Sequence, residues 1–462
     1  MNGKISAKDR IILPLDVDSP EKAIVMVQAL SPVVGYFKLG LEFINSMIVS
    51  IITPENEEEA IKNLKTIRRL FELLEGRIFW DGKFDDIPNT VGGASIPIAK
   101  MGVKMFNVHA SAGRESVMKA VANKGDSLVL GVTVLTSIKP EECVSIFGAE
   151  PGPKVLQFAE MLAEVGANGI ICSPQELELL GKQPKLDKLS KITPGVRPLG
   201  AAVGDQKRVM TPGEAIKSGA DYLVIGRPIT MPPVEIGNPI DAAEKIADEI
   251  NSAESELIFK KTNAYISGKH IVYTSGKHGS EYLNKDEIYT DTEATDELCQ
   301  YLAEHFKNRK VETVIAPVQG GIKLSHGVAL HLTRMTGQKV LSVYADKEGD
   351  NLVIKRGYGK YITGKRVLVV DDVFTTGGSV SKTIKAVRDL KGEIIGVGGL
   401  CNRGGVKAED LGEGIQGFFT LVNVQMVAFE EEECPFCKDG IPVYTEVGKG
   451  KDYLAKKQAQ TQ

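Results

Sequence analysis

The chain is short of cysteine, of excess positive charge and of long apolar runs, and each shortage removes a class of protein. Six cysteines among 462 residues cannot knit a disulfide framework, so a reducing cytosol is the expected home. Lys and Arg number 56 against 60 Asp and Glu, a net charge of -4 with a pI near 6.0. Bulk nucleic-acid binding needs a basic surface and is not expected. A local basic pocket for a small phosphorylated ligand is still compatible with this balance. No stretch reaches the roughly 20 apolar residues of a membrane span. The opening MNGKISAKDR has no apolar signal core, and the closing AKKQAQTQ reads as a frayed polar tail. A cytoplasmic protein with no membrane partner is therefore predicted. Internal repeats, low-complexity segments and a Pro- or Ser-rich linker are absent too. What is present is a 42% hydrophobic chain with 48 scattered glycines, long enough for two or three domains.

Short apolar runs alternate with amphipathic stretches. They are IILPLDV (11–17), YFKLG (36–40), RIFWDGK (77–83), KMFNVHA (104–110), LVLGVTVLT (128–136), NGIICSP (168–174), KITPGV (191–196) and DYLVIGRPI (221–229). Eight such β/α units within about 250 residues fit a (β/α)8 barrel, whose chemistry sits at the strand ends. Near residue 252 the pattern changes, and IDAAEKIADEINSAESELIFKKTNAYI reads as a barrel helix running into the first helix of a new unit. Strand-like VETVIAPV (311–318), KVLSVYA (339–345), KRVLVVDDV (365–373) and EIIGVGGLC (393–401) follow. Two domains are predicted, 1–252 and 253–462. The second is a smaller α/β unit with a parallel sheet binding ligand at its strand ends.

RIFWDGKFDDIPNTV carries the sharpest signal of the first half. Asp81 and Lys83 lie two apart on a strand and share a face. Asp86 follows the strand end, and Lys38 closes the second strand at the same mouth. An alternating Lys38–Asp81–Lys83–Asp86 array is predicted; charges so placed are either catalytic or a structural ion-pair network. The run Asp81, Lys83, Asp86, Ile87, Pro88 and Thr90 resembles the Asp-x-Lys-x-x-Asp-Ile-Pro-x-Thr motif of orotidine 5'-phosphate decarboxylases. The resemblance spans 11–230 and implies Asp16 for the ribose and Thr136 for the pyrimidine. It assigns Arg197, Gln206, Gly226 and Arg227 to the phosphate. It further implies cofactor-free decarboxylation with Lys83 as proton donor, and an Asp86 that reaches the site of a neighbouring subunit.

In VLVVDDVFTTGGS an apolar strand ends in Asp371 and Asp372, then a loop opens the helix SVSKTIKAVRDL. Backbone N–H groups from Thr375 through Thr376, Gly377 and Gly378 to Ser379 can cradle an anion. The acid pair can serve two ribose hydroxyls, cap the helix or hold a divalent metal. The string resembles the diphosphoribosyl-binding motif of type I phosphoribosyltransferases. YTSGKHGSEYLNKD (273–286), APVQGGI (316–322) and LCNRGG (400–405) are similar to segments of orotate phosphoribosyltransferases and imply roles for Lys277 and Arg403. The usual catalytic loop with Arg-Lys and His-Gly is replaced by YADKEGDNLVIKRGYG, leaving Lys347, Lys355 and Arg356 as loop candidates. The pyrophosphate-loop lysine is missing at Gly320 or its neighbour.

Cys434 and Cys437 form a Cys-x-x-Cys pair, but no second pair stands at zinc-finger spacing, so an incidental or structural role is expected and no protein-held metal. His109 is read either as lining the barrel mouth or as a core histidine. Together the resemblances imply a bifunctional enzyme of pyrimidine synthesis. Orotate and phosphoribosyl diphosphate, the latter as its Mg2+ complex, would give orotidine 5'-phosphate, then UMP. Its partners would be these small molecules and further copies of itself, as a homodimer or higher homo-oligomer. A transferase for another base, or a diphosphoribosyl-sensing regulatory domain, are the alternatives for the second half.

Overall fold

The computed structural model describes residues 5–198, 210–273, 275–424 and 426–461. Two compact units divide the chain, Met1–Ile250 and Asn251–Gln462, with the boundary inside a single helix, Pro239–Lys261.

The first unit is a closed, all-parallel barrel of eight strands in sequence order. They are β1 (Ile11–Pro14), β2 (Tyr36–Gly40), β3 (Ile78–Phe84), β4 (Met105–His109), β5 (Leu128–Val132), β6 (Gly169–Ile171), β7 (Ser190–Pro194) and β8 (Tyr222–Val224). All eight apolar runs of the sequence became strands. Barrel strands are covered on both faces, which is why they read as continuous rather than alternating apolar segments. Ile12, Phe79, Met105, Leu130, Ile192 and Tyr222 form a buried cluster contributed by six of the strands, each worth roughly 1.5–3 kcal/mol of burial. Tyr36 meets Tyr222 edge-to-face at 5.9 Å.

After the helical stretch that ends at Lys261, the second unit continues with an antiparallel hairpin, β9 (Tyr265–Val272) and β10 (His278–Leu283). The segment read as a barrel helix running into the first helix of a new unit is one continuous helix, Pro239–Lys261, whose residues from Asn251 on belong to the second unit. Only the residues after Lys261 depart from that reading, turning into β9. The hairpin carries Gly268, Lys269 and Gly279 and no alternating apolar face, so periodicity did not mark it. A six-stranded sheet follows in the order β13-β12-β11-β14-β15-β16. Its members are β11 (Thr313–Pro317), β12 (Leu341–Glu348), β13 (Asn351–Val353), β14 (Arg366–Phe374), β15 (Glu393–Asn402) and β16 (Phe418–Asn423). Pairing is parallel except at the β12–β13 edge. Buried side chains cover the sheet in two clusters, one around Phe306, Leu302 and Leu368 and one around Val369, Phe374 and Ile384. Among the described residues no helix is long and apolar enough to cross a membrane.

Candidate functional site

At the barrel mouth Asp81 is the hub. Its Oδ2 lies 3.0 Å from Lys38 Nζ and its Oδ1 2.8 Å from Lys83 Nζ. Asn107 on β4 donates its side-chain amide to Asp81 Oδ1 at 2.6 Å and accepts the Lys83 backbone N–H at 2.7 Å. Burial alone would raise the Asp81 carboxyl. The ammonium groups of Lys38 and Lys83 outweigh it and hold the group below the ordinary aspartate range, so Asp81 stays ionised at neutral pH. Lys83 has φ +48°, and the β3–β4 register shifts between Trp80 and Phe84. This irregularity, rather than simple strand alternation, aims the lysine beside Asp81. Lys38, Asp81, Lys83 and Thr136 line a cavity of about 270 Å3, closed by Phe79, Val132, Ile171, Ser173 and Val224.

Asp86 is not part of this array within the chain, contrary to the sequence expectation. It is exposed, and its Oδ1 accepts the Ile87 N–H at 2.6 Å. The strand ends at Phe84, so the chain has already turned toward helix Pro88–Lys100, and that turn carries the side chain away. Thr90, in the first turn of the same helix, is exposed too. Asp16 Oδ1 stands 3.9 Å from Lys38 Nζ. Arg197 follows β7, with its Nε buried and without a hydrogen-bond partner among the described residues. Burial and the neighbouring charge of Arg227 lower its pKa. Two arginines that disfavour one another make a ready anion site. Gly226 precedes Arg227, and a Cβ there would meet Pro14 Cγ at 2.9 Å. Gln206 lies outside the described residues. His109 is half-buried, and burial lowers its pKa.

In the second unit the acid pair lies near the C-terminal end of β14, two residues before its last member, Phe374. Asp372 is buried and its Oδ2 accepts from Lys285 Nζ at 2.6 Å. Burial and the adjacent Asp372 raise the Asp371 carboxyl to about 7. Arg403 Nε donates to Thr375 Oγ1 at 2.9 Å. Lys285, Gln319, Gly320, Asp371, Asp372, Thr375, Ser379 and Arg403 line a cavity of about 410 Å3. Thr376, Gly377 and Gly378 complete the loop; Gly377 has φ +74° and caps helix Gly378–Asp389. A second cavity of about 660 Å3 shares Tyr282, Thr375 and Arg403 with the first.

Four cations assigned from the sequence, Lys277, Lys347, Lys355 and Arg356, line neither cavity of the second unit. Lys277 pairs with Glu430 at 2.9 Å and lines neither cavity; it sits in the β9–β10 turn, and Lys285, beyond β10, is the lysine delivered to the acid pair. Lys347 is exposed on β12 opposite Leu352. Its neighbours Lys355 and Arg356 are held by Glu348 and Asp346, so the edge hairpin satisfies its own cations outside the cavity. The ammonium missing from the loop at Gly320 is replaced from elsewhere: a Cβ at Gly320 would overlap both the Asp372 carboxylate and Lys285 Nζ. Asn107 and Lys285 were the residues missed. A buried asparagine within the apolar run KMFNVHA was the available signal for the first; nothing local marked the second. The Cys434–Cys437 pair is not isolated either, because the β9–β10 hairpin brings His270 and His278 to it.

A closed barrel with a lysine-flanked aspartate at its mouth, followed by a mostly parallel sheet ending in an acid pair over a Thr/Gly loop, describes a two-domain α/β enzyme. A model of the orotidine 5'-phosphate decarboxylase / HUMPS family matches residues 9–246, and one of the phosphoribosyl transferase domain matches residues 284–431. The chain thus belongs to the orotidine 5'-phosphate decarboxylase / HUMPS family and carries a phosphoribosyltransferase domain after the barrel in sequence. It is 40% identical over 262 residues to an orotidine 5'-phosphate decarboxylase of Syntrophomonas wolfei, covering 53% of this chain and 99% of the relative. With one of Gloeothece citriformis it shares 42% over 248 residues, covering 52% and 97%. Among solved structures, UMP synthase of Leishmania donovani is similar over 90% of this chain and 91% of its own, with 16% identity and a TM-score of 0.40.

Proposed function

We propose that this chain is a bifunctional UMP synthase of the cytoplasm. Its second domain joins orotate to phosphoribosyl diphosphate, taken as the Mg2+ complex, and its barrel decarboxylates the resulting orotidine 5'-phosphate. The observation that carries the barrel reading is Lys83 Nζ held 2.8 Å from an ionised, buried Asp81. Loss of CO2 leaves an electron pair on C6 of the pyrimidine with no cofactor to take it up. A fixed ammonium stabilises that pair and transfers a proton to the same carbon. Asp81 holds Lys83 charged and aimed, and Lys38 ties Asp81 to the Asp16 side of the mouth, where the ribose would lie. Thr136 would face the base and Thr90 the neighbouring sugar. Arg197, Gln206, Gly226 and Arg227 would take the remote phosphate, whose binding energy aligns the array.

In the second domain Asp371 and Asp372 accept the two ribose hydroxyls, the Thr375–Ser379 loop cradles the 5'-phosphate, and Arg403 contacts the base carboxylate. Lys285 supplies a cation at the diphosphate side. Base choice is tested by offering orotate, uracil, adenine and hypoxanthine separately with Mg2+ and phosphoribosyl diphosphate. Diphosphate release with orotate alone is the expected result; release with a purine and not with orotate would overturn the assignment, and release with none would favour a sensing domain.

The Asp371 value sets a pH dependence. Its folded pKa of about 7 lies above the unfolded value, so the stability linked to it is present at low pH and lost as pH rises through about 7. Ligand binding runs the other way, because only the ionised form accepts two hydroxyl hydrogen bonds. The KM for phosphoribosyl diphosphate should fall between about pH 6 and about pH 8 with an inflection near 7. Asp371→Asn should flatten that inflection, which separates it from titration of the ligand's own phosphates; an unchanged profile in the variant would refute the role.

Asp86 points to a site shared between subunits, since its carboxylate is exposed and outside its own array. Lys83→Ala and Asp86→Ala proteins should each be nearly inactive as decarboxylases. After subunit exchange, half the dimers are mixed, each with one intact site, so activity should return to about a quarter of wild type. Exchange proven by labelled subunits with no recovered activity would place the whole site within one chain.

A further inference from the structure

Two pairs of side chains far apart in sequence converge in the second unit, and none of the four lines either transferase cavity. His270 on β9 and His278 on β10 face Cys434 and Cys437, which flank and enter the short helix Pro435–Lys438. His270 Nε2 lies 2.9 Å from His278 Nδ1, 3.7 Å from Cys434 Sγ and 3.5 Å from Cys437 Sγ. Cys437 Sγ is 3.2 Å from His278 Nδ1, and all four ligand atoms lie within 4.8 Å of one another. His270, His278 and Cys434 are 2% exposed or less.

From this geometry we infer a structural zinc site of the Cys2His2 class in the transferase domain. With bonds of about 2.0–2.1 Å to nitrogen and 2.3 Å to sulfur, a tetrahedral ion spaces two nitrogens about 3.3 Å apart and a nitrogen and a sulfur about 3.6 Å apart. The nitrogen–sulfur separations of 3.2, 3.5 and 3.7 Å bracket the second value, while the two nitrogens, 2.9 Å apart, stand closer than the first and would have to part on binding. Sulfur and imidazole ligands in a tetrahedral set select zinc over magnesium or calcium, which prefer oxygen. Two thiolates cancel the charge of the ion, which lets the site stay buried; binding releases the thiol protons. The outer contact of His270 fits as well, whereas His278 Nε2 is buried with no hydrogen-bond partner among the described residues. His270 Nδ1 lies 2.7 Å from the Ile441 carbonyl, so it is the protonated nitrogen and Nε2 is left with its lone pair toward the cluster. Four protein ligands leave no open position, so the site is not catalytic.

Its effect is mechanical. The hairpin's turn contributes Tyr273 and Ser275 to the 660 Å3 cavity, while Met426, Ala428, Gly448 and Lys449 come from the C-terminal segment. Backbone bonds already join these walls, His278 to Phe429 in both directions at 2.8 Å and Tyr444 N to His270 O at 2.7 Å. The ion would clamp hairpin and C-terminal segment at one point beside the transferase cavity.

The test uses the full chain purified without chelator, equilibrated with zinc and desalted. Elemental analysis should find close to one zinc per chain. Replacing the zinc with Co2+ should give the visible bands of tetrahedral sulfur–nitrogen coordination. The Cys434→Ser, Cys437→Ser double variant should lose the metal while its decarboxylase activity, assayed on supplied orotidine 5'-phosphate, is unchanged and reports a folded barrel. Stripping zinc from wild type should lower transferase activity on the order of tenfold and zinc should restore it. Metal-free wild type after equilibration, full zinc retention by the double variant, or a Cys434–Cys437 disulfide in protein kept reduced and anaerobic would each overturn the inference.

Discussion

Lys83→Ala is expected to cost the barrel at least about 10⁴-fold in decarboxylation, because one side chain supplies both the proton and the fixed positive charge at the forming carbanion. The aspartate hub makes this loss hard to repair. Asp81 keeps its bonds to Lys38 and Asn107, so no other cation in the array moves into the vacated place. The transferase residues lie in a separate compact unit, and orotate should still be converted. Chromatography of a reaction started from orotate should then show orotidine 5'-phosphate accumulating. UMP formed at near wild-type rate would remove Lys83 from the mechanism.

The combined change Asp371→Asn, Asp372→Asn should weaken phosphoribosyl diphosphate on the order of a hundredfold or more. Hydrogen bonds to a charged acceptor contribute about 1.5–3 kcal/mol each, and two are lost together. Asparagine is as good a helix cap as aspartate, so a merely structural acid pair would leave calorimetric affinity unchanged. A pair serving only to neutralise Lys285, which Asp372 Oδ2 holds at 2.6 Å, would instead show tighter diphosphate binding once that lysine is freed. Supplied orotidine 5'-phosphate should be decarboxylated at the wild-type rate in the same preparation.

The barrel was legible because buried parallel strands write themselves as apolar runs, and all eight did so. Three charges, Lys38 on β2 with Asp81 and Lys83 on β3, were legible as one group, although the register shift before Phe84, which spacing does not reveal, is what aims Lys83 beside Asp81. Asp86 stands outside its own chain's array because two residues past a strand end suffice to turn a side chain out of a cavity, and spacing does not say which way. The hairpin β9–β10 was hidden by its glycines and lysines, and with it went Lys285, positioned by a fold contact 87 residues away in sequence. The same hairpin concealed the partners of the cysteine pair, since His270 and Cys434 are separated by 164 residues. Motif spacing detects ligands that share a loop; it is blind to ligands that share only a fold.

The central claim is that one chain carries orotate through both reactions in order. It is tested most directly with orotate labelled in its carboxyl carbon, incubated with the full chain, phosphoribosyl diphosphate and Mg2+. Labelled CO2 and UMP should appear in equal amounts, both should require phosphoribosyl diphosphate, and the Lys83→Ala protein should retain the label in orotidine 5'-phosphate. Decarboxylation of supplied orotidine 5'-phosphate without any conversion of labelled orotate would contradict it.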